Sequence, residues 1–430
     1  MIWYLDAHVS LRGIGVVLSS LRDLLCFLLG WRPLRLPFPT TIRTWLLRIG
    51  LFLLRRAVPK RSDWVWILDH TIRLGQHKCL LILGVSQQRF RNLPGALEHR
   101  DVVVLDLQVM TCCTGEVVAD RFEKLAQRVG VPEQVVCDHG ADLAKGVRLF
   151  QAKHPEVIDT YDVTHKLACL VKRVLEPAAR WAEFLRRCTA CLFQLQQSAG
   201  AFLLPATARS RSRYLNVGPP IAWARRMVTL LESPDLTEVA GLLGKGEAET
   251  RSFLEEKVGW LREFRADVAH YDRLRDVVEQ TQEEVKTRGM GATTAERVWQ
   301  RLDAAVLDDP RLADFTSSVK SYLEEEGGKI PNGESWLGTS DVIESLFGKY
   351  KWLGEKAPYA EVGANVLALP VMTVDLTSEL IHEALSTVSV QDVRDWQKSN
   401  IGRSTLSKVK ATTKAVEAAE QALFPDTKVA

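Results

Sequence analysis

The feature that most constrains the fold is the order of strand-like and helix-like segments between residues 64 and 175. Three runs of β-branched and aromatic residues come first, and shorter strands then alternate with helical patterns. The predicted elements are strands at Trp64–Asp69, Cys79–Val85 and Val102–Met110, a helix at Gly115–Val129, a strand at Gln134–Cys137, a helix opening near Asp142, a strand at Tyr161–Val163 and a helix at His165–Leu175. This order predicts an α/β fold with a mixed sheet.

Acidic residues close two of these predicted strands. Asp69 follows the first strand and Asp138 follows the fourth, and in a mixed sheet these two strand ends can lie side by side. Two further acids compete with them. Asp142 competes with Asp138 but fits better as an acid in the first turn of a helix, where its charge interacts favourably with the helix dipole. Asp106 is a weaker competitor of Asp69.

A third acid lies far downstream on a short predicted helix. Glu344 belongs to the segment Ser340–Lys351, in which an aromatic residue, a glycine and two lysines follow the acid. Carboxylates without a histidine box or a cysteine cluster favour a hard cation with oxygen ligands. We therefore expect the fold to bring Asp69, Asp138 and Glu344 together around two Mg²⁺ or Mn²⁺ ions, which at about 4 Å apart can catalyse phosphodiester chemistry.

Zinc is a weaker alternative. His165, Cys169, Cys188 and Cys191 have the right side chains, but a Cys-x-x-Cys pair on a helix is more often buried as apolar residues. The eight cysteines are irregularly spaced, which fits free thiols in a reducing cytosol. The apolar runs near residues 24–29 and 45–54 are shorter than the roughly 20 residues of a membrane span. We expect a soluble cytoplasmic protein without membrane contacts.

Positive charge is concentrated at the N-terminus. Residues 1–61 carry ten Arg and Lys against two Asp, about +8, whereas the whole chain is only +3. Ser10 is a predicted N-cap for one helix, and Gly50 closes a second short helix, Ile42–Ile49. Such a pair predicts a helix-turn-helix that binds double-stranded DNA, with a plain helical hairpin as the alternative. The predicted DNA contacts in this region are Arg43, Arg48, Arg55 and Arg56.

Helical patterns dominate from residue 176 to residue 335. Three alternating arginines, Arg209, Arg211 and Arg213, interrupt them in a loop that is either solvated or a grip on a nucleic-acid backbone. With 430 residues, of which 46% are hydrophobic, the chain is long enough for two or three domains. The predicted divisions are a DNA-binding region and basic linker at 1–60, the first part of the core at 61–175, an all-helical insertion at 176–335, the last core helix and C-terminal helices at 336–400, and a terminal helix or tail at 401–430.

Three short motifs carry a resemblance to a known family. They are Ile67-Leu68-Asp69-His70-Thr71, the segment Val136–Leu143 around Asp138, and Ser340–Lys351 around Glu344. With these motifs the chain resembles DDE-type transposases of the bacterial insertion-sequence kind. The resemblance implies a ribonuclease H-like mixed sheet with an N-terminal helix-turn-helix, with Asp69, Asp138 and Glu344 as catalytic metal ligands and Lys349 and Lys351 as DNA contacts.

The resemblance also implies partners and a compartment. We expect binding to the terminal repeats and target DNA of a mobile element, a homodimer or larger assembly on DNA, and a bacterial, nucleoid-associated location. The spacing departs from a minimal core, since Glu344 follows Asp138 by 206 residues. A large all-helical insertion explains this spacing and is similar to the one in hAT-type transposases. In the predicted insertion of this chain, Trp181, Trp223 or Trp299 would stack on a displaced base. The alternative is that these residues belong to the core.

Two other functions remain open from the sequence. One is a catalytically silent DNA-binding regulator derived from a transposase, which the presence of all three acids argues against. The other is a structure-specific nuclease of the same fold. The predicted helix-turn-helix favours sequence-specific DNA binding, and with it transposition, over the nuclease.

Overall fold

The chain folds into two compact units. One consists of Met1–Thr160 and Ser340–Ala430, hereafter the first unit, and the other of Tyr161–Thr339, hereafter the second unit. In the computed structural model, the described residues are 5, 9–30, 32, 35–72, 75–93, 95–206, 214, 217–353 and 361–423. Within this part of the chain, no helix combines the length and the apolar character needed to cross a membrane.

Helices and strands follow one another in the order α1 Leu11–Leu29, α2 Pro39–Arg55, β1 Trp64–Ile72, β2 Lys78–Ser86, α3 Gln87–Arg91, β3 Val103–Met110, α4 Gly115–Val129, β4 Gln134–Cys137, α5 Ala141–Gln151, β5 Ile158–Tyr161, α6 Val163–Leu175, α7 Ala179–Leu195, α8 Gly218–Glu232, α9 Thr237–Leu243, α10 Glu247–Val258, α11 Arg265–Arg288, α12 Thr294–Arg301, α13 Ala304–Leu307, α14 Ala313–Gly328, α15 Asp341–Leu353, α16 Ala368–Val371, α17 Ser378–Thr387, α18 Val390–Asn400 and α19 Thr405–Leu423. Short 3-10 helices lie at His99–Asp101, Ala201–Leu203, Gly259–Phe264, Pro310–Leu312 and Ala364–Leu367.

A mixed five-stranded sheet is the centre of the first unit. Its strand order is β3-β2-β1-β4-β5, in which β2 is antiparallel to both of its neighbours and β4 is parallel to β1. The predicted mixed α/β sheet is thus confirmed, as is the helix at Gly115–Val129. Two predicted strand boundaries are wrong. Strand β1 continues past Asp69 to Ile72, with Asp69 paired to Leu81, and β5 ends at Tyr161 instead of beginning there.

One face of the sheet is filled by aromatic side chains. Trp66 projects from β1 and packs against Phe122 of α4 and Phe150 of α5, with ring centroids 5.9 and 5.8 Å away. Leu68 and Cys137 belong to the same buried cluster. Because side chains alternate along a strand, the intervening residues of β1 and β4 face the opposite side of the sheet. Helices α4 and α5 cover the aromatic face, and helices α2, α15, α16 and α18 also contact strands of this sheet.

Helix α2 is longer than predicted and is part of the core of the first unit. It continues through Gly50 to Arg55 and packs against α16, α17 and the 3-10 helix at Ala364–Leu367. Gly50 does not end the helix. A Cβ at this position would lie 1.7 Å from the carbonyl oxygen of Leu367, so the absence of a side chain allows two backbones to touch. Ser10 caps α1 as predicted, since its Oγ accepts from the backbone N–H of Gly13 at 3.0 Å.

The second unit is built from helices around one apolar core. Leu167 and Leu170 of α6 belong to that core, and α6 packs with α11 and α14. The second unit begins at Tyr161, and the predicted all-helical insertion begins at residue 176. The two ends of the unit are close together, because the backbone N–H of Val163 donates to the carbonyl of Gly338 at 3.0 Å.

Three residues predicted either to stack on bases or to be core lie in this unit. Trp181 and Trp223 are buried in its core, and the indole N–H of Trp223 donates to the carbonyl of Leu203 at 2.9 Å. Trp299 is partly buried against the same core. Both Trp181 and Trp223 have the core role, since a base could reach them only by unpacking the helices.

Candidate active site

The register between β1 and β4 bears on two of the predicted acids, Asp69 and Asp138. Val65, Trp66 and Ile67 pair with Gln134, Val135 and Val136 in parallel. If this register is extended by two residues, Asp69 lies beside Asp138. Neighbouring strands of a sheet are about 4.8 Å apart. Because Leu68 and Cys137 point into the aromatic core, Asp69 and Asp138 face the other side of the sheet.

Both aspartates are half-buried and are oriented by the backbone that follows them. The Oδ1 atom of Asp69 accepts from the backbone N–H of His70 at 2.6 Å, and that of Asp138 accepts from the N–H of Gly140 at 2.8 Å. His70 itself points to the aromatic face, where its Nε2 lies 3.0 Å from Cys113 Sγ. Burial, assisted by the charge of Lys78, lowers the pKa of His70. This histidine therefore adds little positive charge near neutral pH.

Helix α15 carries the third acid to the sheet. It packs against β1 through a buried face that includes Ile343 and Phe347, and half-buried Glu344 lies in its first turn. Residues of a helix are about 100° apart around its axis, so Glu344 and Lys351 lie on one flank, about 20° apart. Lys349 lies on the opposite flank. Glu344 and Lys351 can therefore act on one ligand, whereas Lys349 faces elsewhere.

The flank with Lys349 opens into a separate cavity. This cavity has a volume of about 480 Å³ and is lined by charged and polar side chains, including Arg100, Asp341 and Lys349. Beside it, Nε2 of His99 and Oγ of Ser345 are 3.1 Å apart. Lys349 thus stays a predicted DNA contact, but at a different surface from Glu344.

Both competing acids have structural partners. Asp106 is buried and accepts from the guanidinium of Arg121 through both carboxylate oxygens at 2.8–3.2 Å. Asp142 lies in the first turn of α5, and its Oδ2 is 3.2 Å from Nζ of Lys78. Asp106 and Asp142 thus both form ion pairs, and the choice of Asp69 and Asp138 as the catalytic aspartates stays a prediction.

The arginines predicted to bind DNA have varied surroundings. Arg43 donates to Asn365 Oδ1 at 3.1 Å, Arg55 lies 3.4 Å from Asp392, and Arg56 is exposed. Arg48 donates to the carbonyls of Leu385 and Val388, the latter at 2.6 Å. The loop arginines Arg209, Arg211 and Arg213 lie outside the described residues. The helix-turn-helix stays a prediction, and Arg48 has a structural partner.

Replacing Arg48 with methionine should lower the free energy of unfolding by about 1–3 kcal/mol. The side chain satisfies carbonyls at the C-terminus of α17, which have no partner within that helix. Arg56→Met is the control, because a change at an exposed position usually alters stability by less than about 0.5 kcal/mol. Thermal unfolding followed by circular dichroism measures both. Equal midpoints for the two variants would show that the Arg48 contacts do not stabilise the fold.

Two sets of residues with metal-binding side chains differ in their surroundings. Cys188 and Cys191 are buried in the apolar core of the second unit, and burial raises the pKa of Cys191 to about 11. They are core residues and not the metal ligands considered from the sequence. Within the described residues, Cys137, His139 and Asp159 bring ligand atoms within 4.8 Å of one another. The sequence signal for this group is the pair Cys137-x-His139 at a strand end, whereas Asp159 is adjacent only through the sheet.

Comparisons with known proteins give little support for any family. No protein-family model matches the chain. No curated protein matches it in sequence. Among solved structures, the Drosophila P element transposase strand transfer complex is similar over 86% of this chain and 99% of that chain, with 10% identity and a TM-score of 0.38. A TM-score this low does not establish a common fold, so the assignment of function depends on the residues of this chain.

Proposed function

We propose that this protein is a transposase, which cleaves and joins DNA at the terminal repeats of a mobile element. Its core would be ribonuclease H-like, with Asp69, Asp138 and Glu344 as the catalytic carboxylates. The observation that supports this proposal is the parallel register of β1 and β4, which would set Asp69 beside Asp138 on one face of the sheet when it is extended two residues past Ile67 and Val136. Helix α15, packed on β1, adds Glu344 from a distant part of the sequence.

The donor set fits two hard divalent cations, Mg²⁺ or Mn²⁺. All three side chains offer only oxygen and are half-buried, so they are reachable from solvent. Among the described residues, they do not belong to a group with ligand atoms within 4.8 Å of one another. Bound there, such ions would activate a water or a 3′-hydroxyl and stabilise the leaving oxygen.

The residues of the chain supply position and charge. Asp69 lies within β1 and Asp138 directly follows β4, and each accepts a hydrogen bond from a backbone N–H that follows it. Lys351, two helical turns from Glu344 on the same flank, would attract the phosphate next to the scissile bond. The basic residues 1–61 would add a sequence-independent grip on double-stranded DNA. A dimer that holds two ends of the element, and a helical insertion formed by the second unit, belong to the same proposal.

Metal binding tests the site without knowledge of the DNA sequence. Asp69→Asn and Asp138→Asn should each weaken Mn²⁺ binding to the full chain by at least about tenfold, because each removes a charged ligand. Asp142→Asn is the matched control, since its carboxylate lies four residues after Asp138 and is paired with Lys78. Electron paramagnetic resonance of free Mn²⁺ gives the affinities. If Asp142→Asn weakens binding as much as Asp138→Asn, the assignment is wrong.

A further inference from the structure

We propose a second metal site in the first unit, formed by Cys137, His139 and Asp159 and suited to Zn²⁺. These residues lie at the carboxyl end of β4 and on the adjacent strand β5. Cys137 belongs to the aromatic core, so the group lies on the face of the sheet opposite to Asp138. It is therefore separate from the carboxylate site, and its existence does not depend on the proposed function.

The distances are close to those of a tetrahedral site. One ligand atom from each residue lies within 4.8 Å of the others, and Nε2 of His139 is 2.9 Å from Oδ2 of Asp159. Zinc binds sulfur at about 2.3 Å and nitrogen or oxygen at about 2.0–2.2 Å, so tetrahedral ligands are roughly 3.3–3.8 Å apart. Side-chain movements of about 1 Å would adjust the three residues to this geometry, with His139 Nε2 and the Asp159 carboxylate moving slightly apart.

The chemistry of the donors selects the metal. A thiolate with an imidazole and a carboxylate favours zinc and related transition metals over Mg²⁺, which prefers oxygen ligands alone. Cys137 is fully buried, whereas the side chains of His139 and Asp159 are 23% and 17% exposed. An ion could enter from the side of His139 and Asp159. Three protein ligands would leave the fourth position to water.

The backbone supports a preformed arrangement. His139 has a φ of 53°, which is uncommon for residues other than glycine. The turn starts α5 and lets residues 137 and 139 approach the same side of β5. On the other face, Gln134 Nε2 donates to Thr160 Oγ1 at 2.8 Å, and both side chains are buried, so β4 and β5 are fastened together.

A bound ion would also hold Asp138 in place. Asp138 lies between the ligands Cys137 and His139 in the sequence, so the ion would fix the segment that positions Asp138. This consequence rests on the proposed function, whereas metal binding itself does not.

Cobalt titration of the metal-free full-length chain tests the site. One Co²⁺ per chain should give tetrahedral visible bands and a thiolate-to-cobalt charge-transfer band. Cys137→Ser should abolish the charge-transfer band. His139→Asn and Asp159→Asn should weaken Co²⁺ binding by about tenfold or more. Asparagine suits position 139 because it tolerates a positive φ better than most residues, so the turn is kept.

Two control variants distinguish this site from its neighbours. Cys113→Ser removes the other close cysteine–histidine pair, 3.0 Å from His70, and should leave the charge-transfer band unchanged. Glu344→Gln should also leave it unchanged, even if that variant shows that the catalytic proposal is wrong. If Cys137→Ser does not fold, the His139 and Asp159 variants decide. Absence of a thiolate band in the wild-type chain, or full Co²⁺ affinity in His139→Asn and Asp159→Asn, would overturn the proposal.

Discussion

Replacing Glu344 with glutamine is expected to lower the rate of Mg²⁺-dependent DNA strand cleavage by about a hundredfold or more, which is at least about 2.7 kcal/mol in transition-state stabilisation. The amide has nearly the same shape but no negative charge, so it is a poor ligand for a hard cation. Glu344 is half-buried in the first turn of α15, outside the buried face that packs on β1. The fold and DNA binding should therefore be retained.

Asp341→Asn is the matched control for this variant. Asp341 lies in the same first turn of α15, about 60° from Glu344 around the helix axis, and lines the cavity with Lys349. A plasmid that carries the DNA flanking the coding sequence serves as substrate, under single-turnover conditions and with binding measured separately. Cleavage by Glu344→Gln at the wild-type rate would rule out Glu344 as a catalytic residue. Equal losses in both variants would indicate a general effect of charge on this helix.

Gly50→Ala is expected to destabilise the first unit by about 3 kcal/mol or more, at the upper end of overpacking effects. The new Cβ would lie 1.7 Å from the carbonyl oxygen of Leu367 and 2.6 Å from its carbonyl carbon. Because the obstacle is backbone, a rotamer change cannot relieve the clash. Helix α2 would have to move away from α16 and the 3-10 helix at Ala364–Leu367, with loss of buried contacts on both sides.

Gly15→Ala in α1 is the control for the helical effect of the substitution. No atom lies within 4 Å of a Cβ at that position, so alanine should raise stability by about 0.5–1 kcal/mol. Urea denaturation measures the free energy of unfolding of both variants, which should fall for Gly50→Ala and rise for Gly15→Ala. A stabilised Gly50→Ala variant would mean that the close approach between Gly50 and Leu367 is absent in solution.

The architecture of the sheet was predictable from the sequence because its strands are buried runs with separate turn signals. The boundaries were not. Asp69 suggested a strand end because charged residues are rare inside buried strands, yet β1 continues to Ile72 through its pairing with β2. Gly50 suggested a helix end, because no local signal shows that a distant backbone at Leu367 requires the missing side chain.

The site was predictable only as far as local sequence specifies geometry. Asp138 follows a strand directly, and Glu344 lies in a motif with a helical start. The opposite directions of Lys349 and Lys351 also follow from helical periodicity. In contrast, the contacts of Arg48 with α17 and of Cys137 with Asp159 join segments that are separated in sequence or brought together by the sheet. No pattern in a single sequence contains that information.

The hydrogen bond between Val163 and Gly338 joins two segments that are synthesised far apart in time. It brings the two ends of the second unit together, so a folded second unit replaces a long flexible loop by a short connection between β5 and α15. At about 5–20 residues per second, the ribosome needs about 10–40 s to proceed from Asp138 to Glu344. Under the proposed function, a newly made chain would therefore complete its carboxylate site only after Glu344 has been added, late in translation.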